Sequence, residues 1–279
     1  METMRIITDS SGDLTDEMRE ELGAEEMIPF YLNIANETVV DDHTLSVSAL
    51  LQKMKACGEK MTSACGSPQM WKEAFLKAGK AFAVTISQKL SGSYSSACVG
   101  LELAKEEESE CEGHVFDSMS AVSGETLLIY KIREFIDKGL PMGEIVEKVE
   151  AFIKKMRTFF VLDDISNLVK NGRMSRITGT IVNVLGIKPV LGDKEGEIEL
   201  FGRVRGAHKI ADKMVDIIAE SGRKIDGDDF VISHCNNLPL AQEIVTKAKA
   251  RFNFGKMLIV EMKGLSSFYA CEKGIVMSF

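Results

Sequence analysis

The sequence lacks the ligand patterns and apolar runs that characterise several classes of protein. Its six cysteines and four histidines are scattered over 279 residues without a CxxC pair, so no zinc site is predicted. No run approaches the roughly 18 apolar residues that a membrane span needs. The first residues, METMRIITDSS, contain no long apolar stretch followed by a small-residue cleavage site. We therefore expect no metal, no integral membrane segment and a cytoplasmic protein with reduced thiols.

The chain also lacks an excess of positive charge. Its 34 Lys and Arg residues are outnumbered by 42 Asp and Glu residues, which gives a formal net charge of −8 and a pI of about 5.2. Nucleic acids and anionic membranes both favour basic surfaces, so neither is the expected partner. The hydrophobic content of 45% and the mean hydropathy of 0.00 are ordinary for a globular protein with a sizeable core.

Strand-like and helix-like segments alternate through about residue 155. KAFAVTIS and GHVFDSMSAV are typical of buried strands, whereas SVSALLQKMKACG and SGETLLIYKIREFIDKG have helical periodicity. This alternation predicts βαβ units and a largely parallel sheet. The pattern changes near Met156, where strands, a hairpin turn at GDKEG and further helices predict an α+β domain of about 120 residues. The predicted domains are residues 1–156 and 157–279.

Polar residues cluster after three of the predicted strands: residues 9–11, residues 87–93, and Asp117 with Ser118. In open α/β sheets, ligands bind outside the carboxyl ends of the strands, so the three clusters predict one site. A magnesium site would use carboxylates such as Asp9 and Asp117. Bracing of the loops is the favoured interpretation, because Asp and Ser are common in turns.

The segment SGSYSSA, residues 91–97, places several hydroxyls where a strand ends and a helix begins. A helix N-terminus attracts anions through its free N–H groups and partial positive charge, and serine adds neutral donors. Capping of the helix explains the same residues equally well. Thr62 and Ser63, in MTSACGSP, either cap another helix or supply a second set of hydroxyls around the same anion.

Basic residues concentrate in KNGRMSR and GRVRGAHK, within an otherwise acidic chain. They form either a solvated face or a docking surface for an acidic partner or a phosphate group. The basic residues are Lys170, Arg173, Arg176, Arg203, Arg205 and Lys209. His234 and the cysteines are interpreted as structural, because the sequence shows no catalytic partner or activating context for them.

Seven segments, in this order, resemble the DegV family of bacterial proteins. They are IITDSSGDL, MTSACGSP, SQKLSGSYSSA, VFDSMSAVSGE, LVKNGRMSR, LGIKPVL and GRVRG. The resemblance covers essentially the whole chain. It implies an α/β fold of two domains: an α/β/α sandwich with a mainly parallel sheet, and a smaller α+β domain. It also implies that a fatty acid is held in a tunnel between them.

The resemblance assigns the fatty-acid carboxylate to hydroxyl-bearing residues. The family's two motifs for this group fall on Thr62 and Ser91, with the backbone of Gly92 nearby and with Ser63 and Ser93 as additional donors. No cofactor is implied. The bound long-chain fatty acid is the ligand.

The resemblance further implies a partner and a role without catalysis. The protein would present the acyl carboxyl group to a separate fatty-acid kinase, which makes acyl phosphate. The family's arginine falls on Arg173, which would face the kinase or the incoming phosphate, and Arg203 and Arg205 are assigned to the same docking role.

This chain departs from the family pattern at two places. MTSACGSP carries one residue more than the family has after its Thr-Ser pair, and SSFYACEKGIVMSF lacks the family's C-terminal histidine. Tyr269 takes the nearest position, and its hydroxyl can donate to a carboxylate. An alternative stays open: an enzyme or sensor that binds a phosphorylated small molecule at the serine cluster, although no base, nucleophile or metal cluster is evident.

Overall fold

A computed structural model describes residues 4–174 and 186–279 of the chain. Strands and helices alternate through the first half, as the sequence predicts. The strands are β1 (Arg5–Asp9), β2 (Glu26–Ile28), β3 (Tyr31–Ile34), β4 (Glu37–Val40), β5 (Thr62–Ala64), β6 (Lys80–Thr85), β7 (Glu112–Asp117), β8 (Thr158–Val161), β9 (Ile187–Lys194), β10 (Glu197–Arg205), β11 (Phe230–His234), β12 (Met257–Glu261) and β13 (Ile275–Ser278).

The helices of the described residues lie between these strands. They are α1 (Asp16–Leu22), α2 (Val47–Ala56), α3 (Pro68–Ala78), α4 (Ser93–Glu107), α5 (Ser123–Asp137), α6 (Met142–Lys155), α7 (Ser166–Lys170), α8 (Ile210–Glu220), α9 (Leu238–Arg251) and α10 (Gly264–Ala270). Short 3-10 turns occur at Ser10–Gly12 and Ala207–Lys209. Within the described residues, no helix is long and apolar enough to cross a membrane.

The first half of the chain forms an α/β/α sandwich. Its sheet has the strand order β2-β1-β6-β7 and every pairing is parallel, which confirms the predicted parallel sheet. One face of this sheet packs on α5 and α6, and the other packs on α3 and α4. Because helices cover both faces, five of the six residues of β6 are buried, as is usual for a central parallel strand.

The second half of the chain forms a separate, mixed sheet of six strands in the order β10-β9-β8-β13-β11-β12. Only the pairing of β11 with β12 is parallel. The predicted hairpin is present, but β9 and β10 extend beyond the expected five-residue turn and leave only Glu195 and Gly196 between them. Both residues have positive φ, 52° and 81°, as tight hairpin turns require.

A third, antiparallel sheet and α10 connect the two halves. The sheet has the order β4-β3-β5, and its apolar residues pack with Leu265 and Phe268 of α10. The change from one large sheet to the other falls between the end of α6 at Lys155 and the start of β8 at Thr158. The division into domains 1–156 and 157–279 stays a prediction, because α10 of the second half packs into the first.

Candidate functional site

A cavity of about 320 Å³ lies where the carboxyl ends of the parallel strands meet the six-stranded sheet. Segments that follow β1, β6 and β7 form one wall, strands β8, β10 and β13 form another, and β5 and α10 close a third side. The volume falls within the usual range for small-molecule sites. Most lining side chains are apolar, including Ile86, Leu90, Phe160, Leu162, Ile198 and Leu265.

A cluster of neutral hydrogen-bonding groups interrupts this apolar lining. We call it the hydroxyl cluster and define it as Ser63, Ser91, Gly92 and Tyr269, all of which line the cavity. The Oγ atom of Ser63 lies 2.8 Å from the Oη atom of Tyr269, and either atom can be the donor. Gly92 is exposed and the other three are half-buried, so the cluster lies at the open end of the cavity.

Ser91 combines the two roles that the sequence left open. Helix α4 begins at Ser93 with Gly92 as its N-cap, and the Oγ atom of Ser91 accepts a hydrogen bond of 3.2 Å from the N–H of Ser93. The hydroxyl therefore caps the helix as an acceptor and keeps its own hydrogen for another partner. Because the first turn of a helix has free N–H groups, Ser91 and Gly92 present a site suited to an anion.

Ser93 is not among the described residues that line the cavity. Its side chain is fully buried and donates a hydrogen bond of 2.6 Å to Oδ2 of Asp9. Because α4 begins at Ser93, this hydrogen bond joins the first residue of the helix to the end of β1. The hydroxyl of Ser93 thus connects α4 to β1, and its role as an additional carboxylate donor stays a prediction.

Thr62 also lies outside the set of described cavity residues, whereas Ser63 lies within it. Successive residues of a strand point to opposite faces. Thr62 pairs with Asn33 of β3 and accepts a hydrogen bond of 3.4 Å from its Nδ2, while Ser63 pairs with the fully buried Leu32. Ser63, which the sequence indicated only as an additional carboxylate donor, is thus the residue of this pair that lines the cavity.

The polar clusters after the strands meet, but chiefly to brace loops. The carboxylate of Asp9 accepts hydrogen bonds from the N–H and Oγ of Ser11, from the N–H of Ile86 and from Ser93. Asp117 accepts from the N–H of Gln88 and of Met119. Among the described residues, no group of three or more side chains is arranged to hold a metal ion. Loop bracing, the favoured interpretation, agrees with these contacts.

Two other buried carboxyl groups, those of Glu125 and Asp41, lie close to Asp9. Ser11 has one hydroxyl hydrogen, yet its Oγ is within hydrogen-bond distance of both Asp9 and Glu125. One of the two carboxyls must therefore carry a proton. Burial, followed by the charge of Asp9, raises the pKa of Glu125 well above its usual value, so Glu125 is the protonated partner. Burial also raises the pKa of Asp13 to about 8 and that of Asp41 to about 6.

The predicted docking arginines are not brought together in one place. Arg173 lines the cavity and is half-buried, with its Nε donating to the carbonyl of Leu90 at 3.1 Å and its guanidinium also bonded to the carbonyl of Asn171. Arg203 and Arg205 are exposed on β10, the edge strand of the six-stranded sheet. Arg176, from the same basic segment as Arg173, lies outside the described residues.

Several cavity residues were not singled out from the sequence. These are Ser120, Thr158, Asp193 and Ser266; Ser11, which also lines the cavity, belongs to the polar cluster at residues 9–11 that the sequence indicated. The sequence offered one indication of these residues: the Ser266–Ser267 pair close to Tyr269 is a second hydroxyl-rich segment near a strand. Cys65 lies there too, beside Gly92, where a Cβ would be 3.7 Å from its Sγ.

His234 does not line the cavity. Its Nδ1 accepts a hydrogen bond of 3.3 Å from the N–H of Asn237, and burial lowers its pKa. These contacts agree with the structural role expected for it from the sequence.

Comparison with known proteins decides the family. The profile described as "Uncharacterised protein, DegV family" matches residues 3–278. The chain belongs to the DegV family. A curated DegV domain-containing protein of Streptococcus pneumoniae is 34% identical over 253 residues, which are 90% of this chain and 89% of that protein. The resemblance seen in the sequence motifs is therefore confirmed.

Two solved DegV-family structures share the complete fold. A DegV family protein from Ruminococcus gnavus, refined with vaccenic acid, has a TM-score of 0.95 and 34% identity, with full coverage of both chains. The fatty acid kinase (Fak) B3 protein of Streptococcus pneumoniae, loaded with linoleic acid, has a TM-score of 0.90 and 32% identity over 99% of each chain. The predicted α/β fold is thus confirmed for this DegV protein.

Proposed function

We propose that this DegV protein binds a long-chain fatty acid and presents its carboxyl group to a separate fatty-acid kinase. One observation carries the proposal: a single cavity joins a largely apolar lining to a hydroxyl cluster at its open end. The acyl chain occupies the apolar part, and the carboxylate lies against Ser63, Ser91, Gly92 and Tyr269. The acids bound by the Ruminococcus and Streptococcus relatives have the same chemistry.

The energetics of such a ligand suit this cavity. Each buried methylene contributes about 0.8 kcal/mol, so an alkyl chain supplies most of the affinity, offset by the ordering of the chain on binding. A carboxylate needs a few directed donors, and the donors here are neutral hydroxyls together with the N-terminus of α4. In this proposal Tyr269 takes the place of the family's histidine, and its contact with Ser63 fixes the orientation of both hydroxyls.

The exposure of the cluster supports transfer to another protein. Gly92 is exposed, so a carboxyl group bound there is reachable from outside, while the acyl chain lies against the apolar lining. In this proposal Arg173, which lines the same cavity, contacts the phosphate that the kinase delivers. Arg203 and Arg205 remain candidates for the kinase-docking surface on β10. The protein itself has no catalytic role in this proposal, and it acts in the cytoplasm with the kinase.

Titration of the delipidated protein with long-chain fatty acids tests the proposal. We expect one acyl chain per protein, and Ser91→Ala should weaken binding by about 1.5–3 kcal/mol, tenfold or more in Kd, because a donor to a charged group is lost. Ser63→Ala and Tyr269→Phe should act in the same direction. Thr62→Ala should have little effect, because Thr62 is not among the cavity residues and its hydroxyl accepts a hydrogen bond from Asn33.

Ser95→Ala is the matched control, since Ser95 is exposed on α4, the helix that begins just after Ser91 and Gly92. A folded protein that binds no acyl chain would refute the proposal. Equal affinity for the fatty acid in Ser91→Ala and Ser95→Ala would show that Ser91 does not bind the carboxylate. Mass spectrometry of the ligand that co-purifies is an independent measurement. A phosphorylated polar metabolite, in place of an acyl chain, would favour the alternative function.

A further inference from the structure

A second cavity lies on the opposite face of the six-stranded sheet from the cavity described above, which we call the acyl cavity. Its volume is about 630 Å³, against about 320 Å³ for the acyl cavity. Successive residues of a strand point to opposite faces. On β8, Thr158 and Phe160 line the acyl cavity, whereas Phe159 lines the second cavity. The proposed carboxylate site leaves this second cavity without a function.

The inner wall of the second cavity is apolar. Ile153, Phe159 and Ile217 line it and are only 5%, 2% and 2% exposed, so this wall belongs to the hydrophobic core. Phe201, which also lines the cavity, is 40% exposed and packs edge-on against Phe159 with ring centroids 5.1 Å apart. A large exposed aromatic side chain beside an apolar cavity is typical of a site that binds an apolar group.

The charged side chains around the second cavity do not select an anion. Three are positive and three are negative, so the charges of the lining cancel. Glu220 pairs with Lys213 at 2.8 Å, and Lys194 pairs with Glu199 at 3.1 Å. The guanidinium of Arg157 donates to carbonyls in the last turn of α6. The apolar wall therefore decides what this cavity binds. The charged lining residues are Lys154, Arg157, Lys194, Asp193, Glu195 and Glu220.

Two residues, Met119 and Asp193, line both cavities and form the wall between them. Asp193 is held in place, because its carboxylate accepts a hydrogen bond from the N–H of Thr158. The backbone of Met119 is held by a hydrogen bond of 3.0 Å from its N–H to Asp117, but its side chain is half-buried, long and unbranched. Methionine side chains adapt readily to what packs against them. Met119 is therefore the part of the wall that can rotate to let an alkyl chain pass.

The contents of the acyl cavity identify the occupant of the second one. A fatty acid whose carboxylate contacts the hydroxyl cluster extends its chain through the acyl cavity, and a chain that continues past Met119 reaches the apolar wall. Each further methylene is then buried against Ile153, Phe159 and Ile217 instead of remaining in water.

We propose that the second cavity binds the methyl end of long acyl chains, which pass Met119 from the acyl cavity. The preferred ligands are then fatty acids longer than the acyl cavity alone accommodates. This inference rests on the proposed fatty-acid binding and concerns the length of the chain.

Photocrosslinking locates the methyl end of the chain directly. The probe is a saturated twenty-carbon acid with a diazirine at its methyl end, bound to the delipidated protein. Trypsin releases residues 214–223, MVDIIAESGR, as one peptide, which carries Ile217, Glu220 and Ser221 of the second cavity. No residue of this peptide lines the acyl cavity in the described structure. We expect the label in this peptide, and the same acid with its diazirine beside the carboxyl group should not label it.

The dependence of affinity on chain length is the second measurement, made by displacement of a fluorescent fatty acid with saturated acids of twelve to twenty-two carbons. We expect Kd to fall about fourfold for each added methylene, including the lengths that pass Met119. Phe201→Ser should weaken binding of the longest acids about threefold and leave the shortest unaffected, since Phe201 lines only the second of the two cavities.

Leu238→Ser is the matched control, because Leu238 is 44% exposed, close to the value for Phe201, and lines neither cavity. It should keep the chain-length profile of the unmodified protein. Label confined to peptides of the acyl cavity would overturn this inference and leave fatty-acid binding intact. The same chain-length profile in Phe201→Ser and Leu238→Ser would also overturn it. Failure of every acid to bind the folded protein would refute both proposals.

Discussion

Asp9→Asn tests whether the buried polar network organises the cavity. Asp9 is 1% exposed, and its carboxylate accepts four hydrogen bonds from three residues. Oδ1 accepts from the N–H and Oγ of Ser11 at 3.2 and 2.7 Å. Oδ2 accepts from the N–H of Ile86 at 3.1 Å and from Oγ of Ser93 at 2.6 Å. In the asparagine variant, one of these two oxygens becomes an NH₂ group, which cannot accept.

The loss of stability in Asp9→Asn comes from the donors that hydrogen-bond to the Asp9 carboxylate. Whichever oxygen is replaced, a backbone N–H, that of Ser11 or of Ile86, is left unpaired in a buried position, at about 1–3 kcal/mol. The hydrogen bonds that remain change from charge-assisted to neutral, a loss of about 1 kcal/mol each. Removal of a buried charge offsets part of this cost. We therefore expect Asp9→Asn to lower the free energy of unfolding by about 3 kcal/mol, a large value for one substitution.

Urea denaturation measures this difference, with Asp137→Asn as the matched control. Asp137 ends α5, its side chain is 63% exposed, and it forms an ion pair with Arg133. Such a surface pair contributes about 0.5 kcal/mol or less. Ile86 and Ser93, which hydrogen-bond to Asp9, lie on either side of Ser91 in the sequence. Asp9→Asn should therefore also weaken fatty-acid binding. A loss of stability no larger than that of the control would refute the role given to Asp9.

Two further predictions concern helix packing and pH. A Cβ at Gly100 of α4 would lie 2.4 Å from the Cβ of Trp71 on α3, so Gly100→Ala should lower the free energy of unfolding by about 1–3 kcal/mol. Gly143→Ala, where nothing lies within 4 Å, should be neutral or slightly stabilising, and equal effects in urea denaturation would contradict the close packing. Burial raises the pKa of Asp13 from 3.8 to about 8, so its contribution to stability is complete below about pH 4 and is lost as the pH rises through about 8. We expect Tm to fall over this window and to fall less steeply in Asp13→Asn; parallel slopes in thermal melts would rule out this assignment.

Local features of the fold were predictable because they depend on neighbouring residues. The alternation of strands and helices in the first half follows from hydrophobic periodicity, and the parallel sheet follows from that alternation. The start of α4 beside Ser91 and Gly92 was expected from the serine-rich segment after a strand. The hairpin of β9 and β10 was expected from its glycines, although the turn is tighter than the five-residue segment indicated.

The composition of the site was only partly predictable. The resemblance assigned the carboxylate to Thr62, Ser91 and Gly92, with Ser63, Ser93 and Tyr269 as further candidates. Four of these six residues line the cavity: Ser63, Ser91, Gly92 and Tyr269. The choice between Thr62 and Ser63 depends on which face of β5 turns inward, and that is decided by its pairing with β3. Motif matching names the segment but does not settle the face, because neighbouring residues of a strand alternate.

The sequence by itself therefore determined the secondary structure, the family and the segments that supply the hydroxyl cluster. Tertiary structure decided which hydroxyls face the ligand and which brace the protein. Ser93 hydrogen-bonds to Asp9, which is 84 residues away in the sequence, and Ser63 hydrogen-bonds to Tyr269, which is 206 residues away. The raised pKa of the buried Asp13 arises in the same way. Burial and long-range pairing are properties of the assembled chain, because a residue is desolvated by elements that lie far from it in sequence.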